Sequence, residues 1–270
     1  IGYPVMIKAS SGGGGKGMRV AQDEEEFEFQ FNMAQRESAN AFGDDTMYIE
    51  RFVENPRHVE IQIMADTQGN VVALGERDCS VQRNHQKLIE ESPSPAITEE
   101  IRQKMNEYAI LAAKTVNYTN AGTIEFIMSP KGEFFFMEMN TRIQVEHGVT
   151  EMVTGTDLII EQIRVAMGES LSFTQEDVRL RGHAIECRIN AEIPEKNFMP
   201  SPGKVTHIHL PAGNGVRVDT GLYAGYTIPS EYDSMIAKVI VHAQNRELAI
   251  AKMRAALDEM VVMGINTNLD

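Results

Sequence analysis

Apolar residues recur at helical spacing in four segments of the chain, and each segment carries boundary signals typical of a helix. The first segment opens with an acidic run, which stabilises a helix N-terminus and needs no ligand. Asn245 is a predicted N-cap of the last helix, and Gly168 and Gly264 are predicted stops after a final turn. The predicted helices span about residues 23–41, 98–117, 157–168 and 245–264.

Shorter apolar runs between these segments predict strands. The clearest lies at residues 58–66, where Val59, Ile61 and Ile63 alternate with Glu60 and Gln62. Strands and helices are mixed without a regular βαβ repeat, so the pattern favours an α+β fold over a doubly wound parallel sheet. Further strands are predicted at residues 3–9, 18–20, 47–53, 71–78, 123–128, 133–140, 182–192, 204–210 and 216–222.

A glycine-rich run, SSGGGGKGM at residues 10–18, separates the first two predicted strands and surrounds Lys16. Glycine costs roughly 0.5–1 kcal/mol relative to alanine inside regular structure, so such a run indicates a functional loop. Flexible linkers are usually flanked by polar sequence, whereas this run follows an apolar strand. No Ser or Thr follows Lys16 and no helix follows the run, so it fits neither common phosphate motif. We predict a loop that holds phosphate between two strands.

The composition narrows the classes of partner. A chain of 270 residues with 42% hydrophobic content can bury one large or two modest cores. The net charge of −14 disfavours nucleic acid and anionic membrane as partners, because a surface of that sign repels phosphate. Cys79 and Cys187 lie far apart, which predicts two buried thiols in a reducing cytosol. No apolar run reaches transmembrane length, and the abrupt ends at Ile1 and Asp270 lead us to expect a piece of a longer protein.

A predicted hairpin around residues 129–132 brings acidic residues together. If the turn pairs Met128 with Glu133, Glu125 and Glu138 become diagonal neighbours on one sheet face, roughly 7–8 Å apart by Cα, and Asn140 shares that face. Carboxylate and amide oxygens suit a hard cation. The alternative is a face that is simply solvated, and the hairpin by itself does not decide between the two.

Arg142, Gln144 and Glu146 follow the hairpin at alternating positions, so an extended segment directs them the same way. A guanidinium, an amide and a carboxylate in that order can bind a small planar oxyanion and take a proton from it. A surface ladder of polar side chains is the open alternative.

A basic cluster stands out against the acidic composition, and such a local change of sign is what an anion pocket in this chain requires. Histidines such as His58 and His85 are by themselves more often structural than ligating. The cluster contains Arg77, Arg83, His85 and Lys87.

Taken together, these stretches resemble the biotin carboxylase component of biotin-dependent carboxylases such as acetyl-CoA, propionyl-CoA or pyruvate carboxylase. The resemblance covers the whole chain and implies an ATP-grasp fold with antiparallel sheets and helices. It implies a glycine-loop lid at residues 1–53, a central catalytic lobe at 54–180 and an incomplete C-terminal lobe at 181–270, with the family's N-terminal lobe absent. The matching motifs are KASSGGGGKGM, ENPRHVEIQ, ERDCSVQRNHQK, EFFFMEMNTRIQVEH, RGHAIECRINAE, PSPGKV and YDSMIAKVI.

The resemblance also implies a nucleotide site, with Lys16 only a contact at the loop tip. Magnesium, or manganese in its place, is expected on Glu125, Glu138 and Asn140. The residues implied to bind ATP are Lys8, Gly13, Gly14, Gly15, Met18, Glu50, Arg51, Val53, His58, Gln82, His85, Glu125, Ile127 and Glu138.

For the chemistry, the resemblance implies ATP-dependent carboxylation of biotin by bicarbonate through carboxyphosphate. Glu146 is the implied base and Arg188 the group that stabilises the biotin enolate; the catalytic set is Glu146, Arg142, Lys87 and Arg188. The bicarbonate site is implied to comprise Lys87, Arg142, Gln144, Val145 and Glu146.

The implied partners are a biotin carboxyl carrier protein or domain, a carboxyltransferase component and a second copy in a homodimer. The expected location is the cytoplasm, or the mitochondrial matrix or a plastid in a eukaryote. One departure is Gly148, where the family commonly has Pro, and we expect it to loosen the following turn. Another ATP-grasp ligase that joins a carboxylate to an amine, or a non-catalytic nucleotide-binding module, remains an alternative.

Overall fold

The computed structural model describes residues 1–11 and 16–269. Gly13, Gly14 and Gly15, which the resemblance assigns to ATP phosphates, lie outside the described residues. Within those residues, no helix is long and apolar enough to cross a membrane.

Local capping signals set where most helices begin. Asp23, Thr98, Asp157 and Asn245 each accept a hydrogen bond from the backbone N–H three residues further on, which satisfies a donor that the helix itself leaves free. The predicted starts of these four helices are therefore confirmed. The described residues contain five α-helices: α1 (Glu24–Phe42), α2 (Glu99–Thr115), α3 (His147–Thr154), α4 (Leu158–Ala166) and α5 (Arg246–Glu259).

Two helix predictions need correction. Helix α5 ends at Glu259 rather than at Gly264, because Val261–Met263 forms a strand that pairs with His207–His209. The β-branched Val261 and Val262 favour that strand. Helix α3 was not predicted, and it contains Gly148, so the expected loosened turn is wrong. A Cβ on Gly148 would meet Cδ1 of Ile240, so this glycine permits close packing of α3.

Seventeen strands form over the described parts of the chain. They make one sheet of eight strands, one of three and three of two. The strands are β1 (Val5–Ala9), β2 (Met18–Ala21), β3 (Met47–Arg51), β4 (Arg57–Ala65), β5 (Val71–Arg83), β6 (Gln86–Ser92), β7 (Asn120–Met128), β8 (Phe134–Asn140), β9 (His183–Asn190), β10 (Glu192–Ile193), β11 (Met199–Pro200), β12 (Gly203–Lys204), β13 (His207–His209), β14 (Val216–Thr220), β15 (Thr227–Ile228), β16 (Met235–Ala243) and β17 (Val261–Met263).

The chain divides into two compact units, and the first comprises residues 1–56, 83–86 and 127–134. Its sheet has the order β2-β1-β3, with both pairs antiparallel. Helix α1 contributes Ala34 to a small apolar core that includes Val5 and Ile7. The strands β1 and β2 form a hairpin, closed by a hydrogen bond from the N–H of Ala9 to the carbonyl of Gly17, so the glycine run connects two paired strands as predicted.

The second unit comprises residues 57–82, 87–126 and 135–270. Most of the eight-stranded sheet lies in it, in the order β14-β16-β9-β6-β5-β4-β7-β8. The sheet continues across residue 180, where the family resemblance places the boundary between the central lobe and the C-terminal lobe. That three-lobe division stays a prediction.

Strands β9 and β16 carry helices on both faces. Helix α5 packs its buried Ala249, Met253 and Ala256 into an apolar cluster with Val239 and Cys187. On the other face, a cluster of Val149 and Val153 from α3 with Ala184 and Ile240 holds α3 against the same strands. Successive side chains of a strand point to opposite faces. The residues of β9 and β16 that alternate with Cys187 and Val239 are therefore directed toward α3.

We predict that Met253→Ala lowers the free energy of unfolding by about 2–5 kcal/mol, because it leaves a cavity in the cluster under α5. Urea unfolding followed by circular dichroism measures the loss. Leu248→Ala is the matched control: Leu248 lies on the same helix but is 50% exposed, so we expect a much smaller change. Equal losses in the two variants would contradict the packing of α5 described here.

Candidate functional site

The centre of the candidate site is the ammonium group of Lys87 on β6. Its Nζ lies 2.5 Å from Oε2 of Glu60, 2.7 Å from Oε1 of Glu146 and 3.0 Å from Oε1 of Glu125. Burial disfavours the charged ammonium, but the attraction of Glu60, Glu146 and Glu125 outweighs it and raises the pKa of Lys87. Lys87 is therefore a permanent cation, held by three carboxylates from different parts of the fold.

A second buried cation, Arg77 on β5, organises the side chains behind Lys87. Arg77 is fully buried, and its Nε donates to Oε1 of Glu60 at 2.6 Å. It also donates to the side-chain oxygen of Gln144, which in turn donates its Nε2 to Oε1 of Glu125 at 2.7 Å. The guanidinium thus fixes which end of the Gln144 amide faces the carboxylates. The five side-chain acceptors around Arg77 are Glu60, Gln62, Thr123, Gln144 and Thr150.

His58 completes the neutralisation of these carboxylates. Its Nε2 lies 3.0 Å from Oε2 of Glu125 and 3.6 Å from Oε2 of Glu60. Burial disfavours the charged imidazole, yet the contacts with Glu125 and Glu60 outweigh it and raise the pKa of His58 to about 9. The amide nitrogen of Gln82 is 3.3 Å from Nδ1 of the same ring and donates to the carbonyl of Cys79. His58 and Gln82, two of the residues that the resemblance implies to bind the nucleotide, are therefore adjacent.

The acidic hairpin residues also converge. The amide nitrogen of Asn140 donates to Oε1 of Glu125 at 2.9 Å and to Oε1 of Glu138 at 3.2 Å. The turn differs from the predicted one, because the N–H of Ser129, not of Met128, bonds to the carbonyl of Glu133. The side chains nevertheless meet at one point.

Hard oxygen donors on Glu125, Glu138 and Asn140 fit a magnesium ion. Two other trios of possible metal ligands exist among the described residues: His58, Glu60 and Glu125, and Glu60, Cys79 and Glu146. Their carboxylates already bind Lys87 or Arg77. The hairpin set shares Glu125 with the first trio and adds the oxygen donors of Glu138 and Asn140.

Glu146 lies just before α3, and both of its oxygens contact cations. Its Oε1 accepts from Lys87, and its Oε2 accepts from Nη2 of Arg188 at 3.0 Å. The side chain is only 3% exposed. Arg188 lies on β9, and its Nε donates to Oε1 of Glu90 at 2.7 Å. A carboxylate fixed between an ammonium and a guanidinium is positioned to act on an anion that those two cations attract.

Arg142 and Val145 flank this buried pair differently. The structure brings Gln144 and Glu146 together around Lys87, but Arg142 is exposed and donates to the carbonyl of Ile143. Its other contact is Oδ1 of Asn140 at 3.4 Å. The prediction that Arg142, Gln144 and Glu146 point the same way is therefore wrong. The reason is that residues 141–146 are not extended before α3. The carbonyl of Val145 accepts a hydrogen bond from Nζ of Lys238 on β16.

The first unit holds most of the other residues implied to bind ATP. Lys8 on β1 lies 3.1 Å from Oε2 of Glu50 on β3 and 5.5 Å from the ring centroid of Tyr48. Burial lowers the pKa of Lys8, but Glu50 outweighs it and the net shift is upward. His85 occupies the turn between β5 and β6, with a left-handed φ of 64°. Met18 lies on β2, Arg51 on β3, Val53 just after β3, and Ile127 on β7.

Sequence reasoning missed four charged residues of the second unit that support the site. Glu60, Glu90, Glu186 and Lys238 are all buried. A signal for them existed, because a charged residue inside an apolar strand run, such as Lys238 in residues 235–241, is unfavourable unless it is paired. The partners could not be read from the sequence, since they lie on other strands.

Comparisons with known proteins identify the family of this chain. Residues 1–174 match the family model described as carbamoyl-phosphate synthase L chain, ATP binding domain, and residues 186–270 match the biotin carboxylase C-terminal domain. The chain is 60% identical over 270 residues to biotin carboxylase 1 of Bacillus subtilis, covering 100% of this chain and 60% of that protein. The chain belongs to the biotin carboxylase family.

Other family members support the same assignment. A pyruvate carboxylase subunit from Methanothermobacter thermautotrophicus is 56% identical over 269 residues, covering 100% of this chain and 55% of that protein. This chain thus spans little more than half the length of these biotin carboxylase relatives.

Solved biotin carboxylase structures match the fold. A Campylobacter jejuni biotin carboxylase, described as a β,γ-ATP complex, is 52% identical with a TM-score of 0.94, covering 100% of this chain and 60% of that one. The biotin carboxylase domain of the Hydrogenobacter thermophilus 2-oxoglutarate carboxylase is 49% identical with a TM-score of 0.94, covering 100% and 59%. Its structure is a dimer with MgADP, ADP and bicarbonate. The predicted α+β, ATP-grasp fold is confirmed.

We predict that Glu60→Gln lowers the free energy of unfolding by about 3–5 kcal/mol, because it leaves the buried Arg77 guanidinium without its charged partner. Urea unfolding of the variant measures this loss. Glu100→Gln is the matched control, since the ion pair of Glu100 with Lys104 is exposed on α2 and we expect no measurable change. A Glu60→Gln variant as stable as the wild type would rule out the charge network described here.

Proposed function

We propose that this chain carries out part of the ATP-dependent carboxylation of biotin by bicarbonate, the first half-reaction of a biotin-dependent carboxylase. The observation that supports it best is the buried Glu146 carboxylate, held between Lys87 and Arg188. One cation serves the bicarbonate step and the other serves the biotin step, so a single base lies beside both substrates. The Hydrogenobacter neighbour, whose structure is described with MgADP and bicarbonate, supports these ligands.

Bicarbonate binding would use the charges around Lys87. The three N–H groups of Lys87 all donate to carboxylates in this structure. Bicarbonate is therefore proposed to replace one of these three carboxylates as an acceptor for Lys87. Gln144, Arg142 and the backbone of Val145 complete the proposed bicarbonate site. Glu146 removes the bicarbonate proton, and the resulting dianion is a better nucleophile toward the γ-phosphorus of ATP. A bicarbonate oxygen bonds to that phosphorus as ADP leaves, which yields carboxyphosphate.

The nucleotide is proposed to bind through residues that the family resemblance implies. Lys8 is a partly buried cation suited to the ATP phosphates, and His58, Gln82 and His85 follow it in the family resemblance. Glu50, Arg51, Met18, Val53 and Ile127 are proposed for the remaining contacts. Magnesium, or manganese in its place, would be held by Glu125, Glu138 and Asn140. When bound, it would neutralise charge on the transferring phosphoryl group.

The biotin step is proposed to depend on Arg188. Carboxyphosphate breaks down to carbon dioxide and phosphate, and the phosphate takes the proton from the ureido nitrogen of biotin. Negative charge then develops on the ureido oxygen, where the fixed donors of Arg188 stabilise it. The nitrogen bonds to carbon dioxide to give N-carboxybiotin.

Biotin is proposed to arrive on a carrier protein or domain, and the product to pass to a carboxyltransferase component. We also propose a homodimer and a cytoplasmic location.

We predict that Glu146→Gln in the natural protein lowers biotin carboxylation by about 10²–10⁴-fold, because no base remains to deprotonate bicarbonate. ADP release and N-carboxybiotin formation measure turnover, and isothermal titration measures ATP binding, which we expect to be nearly unchanged. Glu169→Gln, an exposed carboxylate, is the control and should retain full activity. Undiminished turnover in Glu146→Gln would show that the proposed base is wrong. ADP release by the wild type that ignores bicarbonate would instead favour a carboxylate–amine ligase.

We predict that magnesium increases the affinity for ADP and that Glu138→Ala abolishes this increase, because two carboxylates and an amide oxygen are needed to hold the ion. Titrations with and without magnesium measure the effect. Glu133→Ala, just after the hairpin turn, is the control and should bind as the wild type does. Equal affinity of the wild type with and without magnesium would exclude a metal at the hairpin.

A further inference from the structure

Two buried carboxylates lie close to Arg188. Glu90 on β6 and Glu186 on β9 are direct partners in the antiparallel register, so their side chains share one face with Cβ atoms about 4.5–5.5 Å apart. Both residues have an exposed fraction of 0%. Two buried carboxylates that close cannot both be ionised without a large cost, unless cations neutralise each of them.

The cations of this region do not neutralise both. Arg188 binds one oxygen of Glu90, while the other oxygen has no hydrogen-bond partner among the described residues. Neither oxygen of Glu186 has one, and its nearest cation, Nζ of Lys238, is 3.8 Å away. Lys238 is already bound to the carbonyl of Val145. Within the described parts of the chain, Glu186 is thus a buried carboxyl group without a donor.

We propose that Glu90 and Glu186 form a carboxyl pair that holds one proton, carried by Glu186, and that the ionised Glu90 is a positioning residue for Arg188. The inference rests on the proposed function, since Arg188 acts there on biotin. A proton on Glu186 supplies the pair with a donor of its own and leaves the negative charge on Glu90, beside the guanidinium. Glu186 is then neutral, as its surroundings require.

The geometry links the pair to the reaction. Because Nε of Arg188 is tied to Glu90 at 2.7 Å, the plane of the guanidinium is fixed and its Nη2 is directed to Glu146 at 3.0 Å. Glu90 therefore sets the orientation of the terminal N–H groups of Arg188. A charge-assisted hydrogen bond of this kind is both stronger and more directional than a neutral one.

The direction of the pKa shifts agrees with this assignment. Burial raises the pKa of Glu90 to about 7, with Arg188 opposing the shift, and it raises the pKa of Glu186 well above its usual range. The proton therefore resides more readily on Glu186. The charged and titratable groups that face the pair are Arg188 on β9, Lys238 on β16, Glu146 before α3, Glu60 on β4 and Cys79 on β5.

The test compares two isosteric variants of the natural protein in two partial reactions. Glu90→Gln removes the charge that holds Arg188, so we expect biotin carboxylation to fall about tenfold or more. Bicarbonate-dependent ATP cleavage without biotin should stay within about twofold, because Lys87 still holds Oε1 of Glu146 when Arg188 shifts. A merely structural role would lower both reactions together. Glu186→Gln replaces a neutral acid with a neutral amide, so both reactions should stay near wild-type rates.

An infrared measurement tests the proton without relying on activity. We expect the wild type to show the C=O band of a buried protonated carboxyl group, and Glu186→Gln to lack it. Absence of that band in the wild type, or wild-type biotin carboxylation by Glu90→Gln, would overturn the proposal. A wild type without bicarbonate-dependent ATP cleavage would overturn the proposed function instead, and the infrared result would still decide whether the pair holds a proton.

Discussion

The structure of the second unit depends on the pairing of buried charges around Lys87. Charge removed from water costs several kcal/mol per ion unless partners and hydrogen bonds replace the solvent. Lys87 on β6 binds Glu60 on β4, Glu125 on β7 and Glu146 before α3. An error in the register of any of these elements would leave an unpaired charge in the interior. The charge network therefore specifies how these strands align, beyond what apolar packing requires.

Apolar packing supplies the rigid support for that network. Helix α5 covers one face of β9 and β16, and α3 covers the other through Val149 and Val153. Gly148 lets α3 approach closely, since a side chain there would collide with Ile240. This approach places Glu146, the residue before α3, beside Arg188 on β9. Packing thus sets the position of the carboxylate, and the cations set its orientation.

The arrangement suits a site that binds anions. The chain carries a net charge of −14, yet Lys87, Arg77, Arg188 and Lys238 are concentrated on a few strands of one sheet. Carboxylates hold Lys87, Arg77 and Arg188. The carbonyl of Val145 and the carboxylate of Asp219 hold Lys238, so all four positions are fixed before any ligand arrives. Preorganised donors of this kind are what stabilises developing negative charge at little cost in reorganisation.

Local features of this protein follow from its amino-acid sequence alone. Capping residues set the starts of α1, α2, α4 and α5, and the motifs identified the family and the residues expected in the site. Long-range packing was needed to establish the end of α5, the existence of α3, the exposed position of Arg142 and the burial of Glu60, Glu90, Glu186 and Lys238. Caps and periodicity act over a few neighbouring residues, whereas burial and ion pairing depend on strands far apart in the chain, whose register no local pattern encodes.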